Sequence, residues 1–199
     1  MSVRIKLCGV RTVEDALLCA VEGADEIGVI FAPKSKRRVS VAEAKAIRDA
    51  LPARLPLVGV FLDAQLEEVL RVAREVDLQA AQLHGAWPAE TAELPLYAAL
   101  QVTDESSLQP RPGAARILLD GPAGGSGKSF AWTLAEKARK LGLPLFIGGG
   151  LTPDNVAQAI AAARPSGVDV ASGIENAQGY KDPARVRAFV EAARRASFK

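Results

Sequence analysis

Short apolar segments rich in valine, isoleucine and leucine alternate along the chain with segments in which apolar residues recur every three or four positions. The first pattern predicts buried β-strands and the second predicts amphipathic helices. The predicted strands are Val3–Cys8, Glu26–Phe31, Leu57–Phe61, Leu78–Leu83, Leu96–Val102, Arg116–Asp120, Leu145–Gly148 and Val168–Ser172. Helices are predicted from Thr12 onward and at Ser40–Leu51, Gln65–Arg74, Phe130–Leu141, Thr152–Ala163 and Pro183–Ala196.

Eight strands that alternate with helices predict parallel βαβ units and hence an α/β fold. The pattern favours a single compact (β/α)8 TIM barrel over residues 1–199, with an open doubly wound sheet as the alternative. The helix after strand five is predicted to be short or missing, because Asp104–Leu108 is followed by Pro110 and Pro112. The segment Pro88–Glu93 after strand four is also a weak helix at best.

Composition narrows the classes of function. A net charge of +2 and 5% aromatic residues argue against a nucleic-acid binder. No apolar run is long enough to span a membrane and the N-terminus is charged at once, so we expect a cytoplasmic protein without a membrane partner. Cys8 and Cys19 are expected to be free thiols. The single histidine, His84, disfavours a multi-histidine metal site, and no metal is expected.

A barrel of this kind places its chemistry at the C-terminal ends of the strands. The residues there are mostly polar, reactive or glycine, whereas the strand bodies are interpreted as apolar. They are Cys8-Gly9, Phe31-Ala32-Pro33, Phe61-Leu62-Asp63, His84-Gly85, Gln101-Val102, Asp120-Gly121, Gly148-Gly149-Gly150 and Ser172-Gly173. This contrast is the main functional signal of the sequence.

The last two strand ends predict a phosphate site. Gly149 and Gly150 follow strand seven, and Ser172 and Gly173 follow strand eight. Barrels often bind phosphate through backbone N–H groups of these two loops, although glycines there can also serve only to make tight turns.

The stretch 124–129, Gly-Gly-Ser-Gly-Lys-Ser, resembles a nucleotide-binding P-loop but has Pro122 where that motif needs its first glycine. A mobile lid over the site is the better interpretation, and Lys128 is then a candidate contact for substrate or phosphate.

Cys8 and Asp120 end strands on opposite sides of the predicted barrel, which makes them candidates for a base and an acid. Lys6 shares a strand face with Cys8 and is expected to lower the pKa of the thiol. Low-dielectric walls are expected to raise the pKa of Asp120. The alternatives are that Cys8 only fills space in the core and that Asp120 only caps a loop.

Three further residues are candidate substrate contacts. Arg37 lies in the loop after strand two and has the fork that carboxylates prefer, unless it belongs to a solvated basic loop. His84 ends strand four and either contacts substrate or satisfies a hydrogen bond in the core. Asp169, on strand eight, is expected to orient another group in the barrel interior. Cys19 is interpreted as a packing residue within a helix.

Several of these segments, in order, resemble the phosphoribosylanthranilate isomerase family. The matching segments are Ile5–Gly9, Gly23–Gly28, Phe31–Arg37, Val58–Phe61, Gln82–Gly85, Leu118–Asp120, Gly124–Phe130, Gly149–Val156, Val168–Glu175 and Lys181-Asp182. The resemblance covers nearly the whole chain, and its strength lies in the order and spacing of the segments rather than in any single motif.

The resemblance implies an Amadori rearrangement of an aminoaldose to an aminoketone in tryptophan biosynthesis. It implies that Asp120 protonates the ring oxygen, that Cys8 removes the C2′ proton, and that Arg37 meets the anthranilate carboxylate. It further implies that the two glycine loops hold the phosphate and that no cofactor is needed. The expected partner is a small phosphosugar, bound by a monomer or homodimer. The alternatives are another phosphosugar barrel, such as a pentose-phosphate epimerase or indole-glycerol-phosphate synthase, and a non-catalytic phosphate-binding module.

Overall fold

The computed structural model describes residues 3–90, 92–102, 104–109, 111–121 and 132–196. Its eight parallel strands form a closed barrel in which neighbours along the chain are also neighbours in space, and β1 (Arg4–Cys8) pairs with both β2 (Glu26–Ile30) and β8 (Gly167–Val170). The predicted (β/α)8 barrel is therefore confirmed, and the open sheet is wrong, because the first and last strands share hydrogen bonds.

The other strands lie close to their predicted positions. They are β3 (Leu57–Leu62), β4 (Ala80–His84), β5 (Leu96–Gln101), β6 (Arg116–Asp120) and β7 (Leu145–Ile147). The largest difference at a strand start is at β4, which was predicted from Leu78. Asp77 adopts a left-handed conformation with φ 62°, and the Leu78 N–H donates to the Ala73 carbonyl, so Leu78 still belongs to the end of the preceding helix.

The helices surround the barrel as α1 (Val13–Val21), α2 (Val41–Ala50), α3 (Leu66–Val76), α4 (Trp132–Arg139), α5 (Val156–Ala163) and α6 (Pro183–Arg195). The Thr12 side chain caps α1, and Ser40 and Glu43 form a capping box at α2. After β5 the described residues contain only a 3-10 turn, Glu105–Ser107, which confirms the short connection predicted there. The described residues between β4 and β5 contain no helix.

The main apolar core lies between the outer faces of the strands and the helices, and includes Leu7, Ile27 and Phe189, each with 0% exposure. This layer holds the strands in register and so fixes where each strand ends. Consequently, the side chains at the C-terminal ends of the strands are carried by a rigid frame.

The interior of the barrel is more polar than the strand sequences suggested. At its lower end Arg116 donates two hydrogen bonds to Glu26, at 2.7 and 2.8 Å, and its guanidinium stacks on Tyr97 and Phe146. The interpretation of the strand bodies as apolar is therefore wrong for the inward face. A buried ion pair with several partners closes the bottom, and the accessible chemistry lies at the opposite, C-terminal end.

Candidate active site

A cavity of about 210 Å³ opens at the C-terminal end of the barrel. Eight of the ten predicted site residues line it, namely Cys8, Arg37, His84, Asp120, Gly149, Gly150, Asp169 and Ser172. Gly173 lies beside Ser172 but faces a separate depression that Thr152 and Arg185 also line. Lys128, together with the rest of the 124–129 stretch, lies outside the described residues.

Cys8 stands at the end of β1 and is 4% exposed. It pairs in register with Gly28 on β2, and a Cβ added at Gly28 would lie 2.6 Å from the thiol sulfur. Burial raises the pKa of Cys8 above its ordinary value, and the positive charges of Lys6 and Lys181 only partly oppose this. Lys6 does lower the pKa of Cys8, as expected, but desolvation outweighs this effect, so the prediction of a thiol with a low pKa is wrong.

Asp120 ends β6 with its carboxyl group at the edge of the cavity. Burial, with a smaller contribution from the charge of Asp169, raises its pKa to about 6. No described residue donates a hydrogen bond to this carboxyl group. A Cβ added at Gly149 would lie 2.3 Å from the Gly121 nitrogen and 2.9 Å from Asp120 Oδ1, so position 149 has no room for a side chain beside the acid. The predicted rise in the pKa of Asp120 is confirmed.

A chain of polar side chains crosses the barrel, and three of its members, Gln82, His84 and Asp169, line the cavity. Lys6 Nζ donates to Asp169 Oδ1 at 2.7 Å and to Gln82 Oε1 at 2.9 Å, and the Gln82 amide nitrogen lies 2.9 Å from His84 Nε2. Burial alone would lower the pKa of Lys6, but the charge of Asp169 raises it, so the lysine stays protonated. Asp169 thus orients another group in the interior, as its position on β8 predicted.

This chain determines which nitrogen of His84 carries the proton. Lysine can only donate, so the Gln82 amide oxygen must face Lys6 and its NH2 group must face His84. That NH2 group can only donate, so Nε2 of His84 must accept. Burial, with the positive charge of Lys6, lowers the pKa of His84 and favours the neutral ring. The proton therefore lies on Nδ1, and His84 can offer an N–H donor.

The protonation of His84 can be read directly, because it is the only histidine in the chain. We expect nitrogen-15 NMR near neutral pH to show a protonated Nδ1 and an unprotonated Nε2. In Gln82→Glu a carboxylate would replace the amide donor, so the proton should move to Nε2 and the pKa of His84 should rise. An unprotonated Nδ1 in the unaltered protein would contradict the assignment.

The two glycine-containing loops carry unused backbone donors. Gly149 and Gly150 have φ values of 77° and 78°, which residues with a side chain rarely adopt. Ser172–Ile174 forms a 3-10 turn, and a Cβ at Gly173 would lie 1.9 Å from the Leu151 carbonyl oxygen, so the loops pack tightly against each other. Within the described part of the chain, the N–H groups of Gly149, Gly150, Ser172 and Gly173 have no acceptor. Grouped free N–H donors of this kind suit an anion.

Arg37 extends to the cavity from the loop between β2 and α2, and its guanidinium group is bound by Glu175. Arg37 Nε and one terminal nitrogen donate to the two oxygens of Glu175 at 2.6 and 2.8 Å. Lys181, whose side chain is 0% exposed, donates to Glu175 at 3.0 Å and to the Cys8 carbonyl at 2.7 Å. Glu175 and Lys181 had no predicted role, although both lie in segments that resemble the isomerase family, and this resemblance was the sequence signal that could have pointed to them.

No group of three or more histidine, cysteine, aspartate or glutamate side chains in the described segments is placed to hold a metal ion. The described helices include none that is long and apolar enough to cross a membrane.

Comparison with known proteins identifies the family of this chain. The family model described as N-(5′phosphoribosyl)anthranilate (PRA) isomerase matches residues 5–192. An N-(5′-phosphoribosyl)anthranilate isomerase of Pseudomonas aeruginosa is 45% identical over 97% of this chain and 96% of its own length.

Solved structures agree with the sequence relatives. The phosphoribosyl anthranilate isomerase of Thermotoga maritima superimposes with a TM-score of 0.88 at 40% identity, covering 96% of this chain and 98% of its own. A phosphoribosyl anthranilate isomerase in complex with reduced 1-(o-carboxyphenylamino)-1-deoxyribulose 5-phosphate superimposes with a TM-score of 0.85 at 38% identity, with the same coverage. The chain is therefore a member of the N-(5′-phosphoribosyl)anthranilate isomerase family.

Proposed function

We propose that this chain catalyses the isomerisation of N-(5′-phosphoribosyl)anthranilate to 1-(2-carboxyphenylamino)-1-deoxyribulose 5-phosphate, a step of tryptophan biosynthesis. The observation that carries the proposal is that a thiol, at Cys8, and a carboxyl group of raised pKa, at Asp120, line one cavity beside free backbone donors. Membership of the family and the ligand of the solved relative support the same substrate.

In this mechanism the two side chains handle protons on one substrate. Asp120 gives its proton to the ring oxygen, the bond from that oxygen to C1′ breaks, and the anilino nitrogen forms a double bond to C1′. Cys8, as the thiolate, takes the C2′ proton, and the electrons form a C1′–C2′ double bond while the nitrogen regains its lone pair. The resulting enol-amine tautomerises to the aminoketone, so that no oxidant or cofactor is consumed.

The remaining contacts would orient the substrate. The free N–H groups at Gly149, Gly150, Ser172 and Gly173 would hold the phosphate. His84 would donate from Nδ1 to a substrate oxygen, and Asp169 would act by holding Lys6. Lys128 remains a proposed contact outside the described residues.

The proposal also includes the extent of the catalytic domain, its location in the cell, its oligomeric state and its partner. Residues 1–199 would form one catalytic domain that works in the cytoplasm as a monomer or homodimer. Its partner would be the small phosphosugar, with neither nucleic acid nor membrane involved.

The direct test is an assay with freshly prepared phosphoribosylanthranilate, followed by the loss of substrate fluorescence. We expect turnover that a chelator does not reduce. Absence of turnover in correctly folded protein would overturn the proposed function, and inhibition by the chelator would favour a metal-dependent phosphosugar enzyme instead.

Removal of the Arg37 side chain should weaken substrate binding. We expect Arg37→Ala to raise KM about 10-fold to 100-fold, because a charge-assisted hydrogen-bonded pair with a carboxylate contributes roughly 1.5–3 kcal/mol. kcat should change by less than about threefold, since Arg37 is not proposed to move a proton. Steady-state kinetics would measure both.

Arg187→Ala is the matched control, because Arg187 also forms a fork with a glutamate but its side chain is 63% exposed on α6. An unchanged KM in Arg37→Ala would remove Arg37 from the substrate site.

A further inference from the structure

Glu175 holds the Arg37 guanidinium in one orientation. The fork uses Arg37 Nε and one terminal nitrogen, at 2.6 and 2.8 Å from the two carboxylate oxygens. An arginine held by two parallel hydrogen bonds cannot rotate about its last bonds without breaking both. The donors that Glu175 does not use remain available, and Arg37 lines the cavity.

Lys181 fixes Glu175 in turn. Its Nζ donates to Glu175 Oε1 at 3.0 Å, to the Cys8 carbonyl at 2.7 Å and to the Ala171 carbonyl at 3.1 Å. The three hydrogens of a lysine ammonium are thus matched by three acceptors. Because the Lys181 side chain is fully buried, movement of Glu175 would leave an incompletely paired charge in the interior. Glu175 is therefore tied to the end of β1, which carries Cys8, and to the residue that precedes Ser172.

A similar fork elsewhere in the chain shows what an ordinary surface pair looks like. Arg187 donates from Nε and a terminal nitrogen to the two oxygens of Glu22, at 3.2 and 2.7 Å. Neither residue lines the cavity, no lysine is bonded to Glu22 within the described residues, and the Arg187 side chain is 63% exposed. The Arg37–Glu175 pair differs in two ways: Glu175 is also bonded to Lys181, and Arg37 lines the cavity.

The charges of the three groups leave one unit of positive charge beside the cavity. Burial alone would raise the pKa of Glu175, but its hydrogen bond to Arg37 and the charge of Lys181 hold it below its usual value, so Glu175 is ionised. One negative charge then sits between two cations, Arg37 and Lys181. A cavity edge of this kind suits a carboxylate on the bound molecule.

We propose that Glu175 is a positioning residue that orients Arg37 toward the carboxylate of the substrate, with Lys181 locking Glu175 in place. This inference rests on the proposed isomerase function. It predicts that Glu175 affects the binding of substrate only through Arg37, and that proton transfer by Cys8 and Asp120 does not depend on it.

The test is a double-mutant cycle between positions 175 and 37. Glu175→Asp keeps the charge but is one methylene too short for the fork, and Glu175→Gln keeps the length but turns an NH2 group toward the Arg37 donors. We expect each to raise KM about threefold to tenfold, in line with the usual cost of ordering a flexible side chain, and to change kcat less than about twofold. In an Arg37→Ala background each should change KM less than about twofold further. Glu22→Gln is the matched control and should leave KM and kcat unchanged.

The outcomes separate three interpretations. An effect of Glu175 that persists at full size in the Arg37→Ala background would overturn the positioning role. A lower KM in Glu175→Gln with no change in Glu175→Asp would also overturn it, because Glu175 would then act only by its charge. If thermal unfolding shows that Glu175→Asp does not fold, Glu175→Gln decides alone, because its amide oxygen can still accept from Lys181. Failure of the unaltered protein to turn over phosphoribosylanthranilate would overturn the proposed function itself, and the positioning role with it.

Discussion

Asp120→Asn is expected to lower kcat by at least about a hundredfold, because the amide cannot give a proton to the ring oxygen and general acid catalysis contributes about 10²–10⁴ in rate. The substitution should not disturb the surrounding structure, since no described residue donates a hydrogen bond to the carboxyl group and asparagine has nearly the same shape. Thermal unfolding should therefore be little changed. A rate close to that of the unaltered protein would remove Asp120 from the mechanism.

The pH dependence of kcat/KM distinguishes loss of the acid from general damage. With a pKa of about 6, roughly a tenth of Asp120 is still protonated near pH 7, about a hundredfold more than for an ordinary aspartate. Above pH 6 the fraction of protonated Asp120 falls while the fraction of Cys8 thiolate rises by the same factor. The value of kcat/KM should therefore stay level until the pH reaches the pKa of Cys8. Below pH 6 only the thiolate still changes, and kcat/KM should fall about tenfold per pH unit.

In Asp120→Asn the break near pH 6 should disappear, and the residual rate should rise with pH through that region as the thiolate forms. The substrate phosphate also titrates near pH 6, so a break that persists in the variant would belong to the phosphate rather than to Asp120.

The barrel and the position of most site residues could be predicted from the sequence because both follow from local rules. Alternating strand and helix patterns favour parallel units, and a closed barrel brings every strand end to one face. Cys8, His84 and Asp120 are the last residues of their strands, so their convergence required only that the strands be recognised. The structure brings all three to one cavity.

The support behind the site could not be predicted, because it depends on contacts between residues far apart in the sequence. Lys181 reaches the Cys8 carbonyl across 173 positions, and Arg116 reaches Glu26 across 90. Neither pair has a periodic pattern that would mark its two residues as a contact. These charged residues lie in a strand body or a long loop, where the sequence alone equally favours exposure to solvent.

The direction of the Cys8 pKa shift could not be predicted from the sequence either, because it depends on two opposing energies. The alternation of side chains along β1 correctly places Lys6 near Cys8, and a cation there does lower the pKa of a thiol. However, Lys6 is itself held by Asp169 and Gln82, and Cys8 is almost fully buried. The net shift depends on the balance between burial and charge, which only the packed structure reveals.

Cys8→Ala should lower kcat by two or more orders of magnitude, because the variant has no group at the end of β1 that can accept the C2′ proton. Cys8→Ser should be nearly as impaired, since a hydroxyl group keeps the size and polarity of the site but ionises far less readily than a thiol. Because the pKa of Cys8 is raised, the thiolate that takes the proton is the minor form of this side chain. Alkylation of the enzyme should therefore speed up with pH well beyond the range of an ordinary thiol.

Cys19→Ala is the matched control for both experiments. Cys19 is buried in α1 and lines no part of the cavity, and burial raises its pKa to about 12. The variant should keep its kcat and leaves Cys8 as the single thiol, so that alkylation and inactivation can be followed at one residue. If modified Cys8 still supports turnover, or if Cys8→Ala retains more than about a tenth of the rate, another group must take the C2′ proton. His84 would be a poor substitute, because its Nε2 already accepts from Gln82 and its Nδ1 carries a proton.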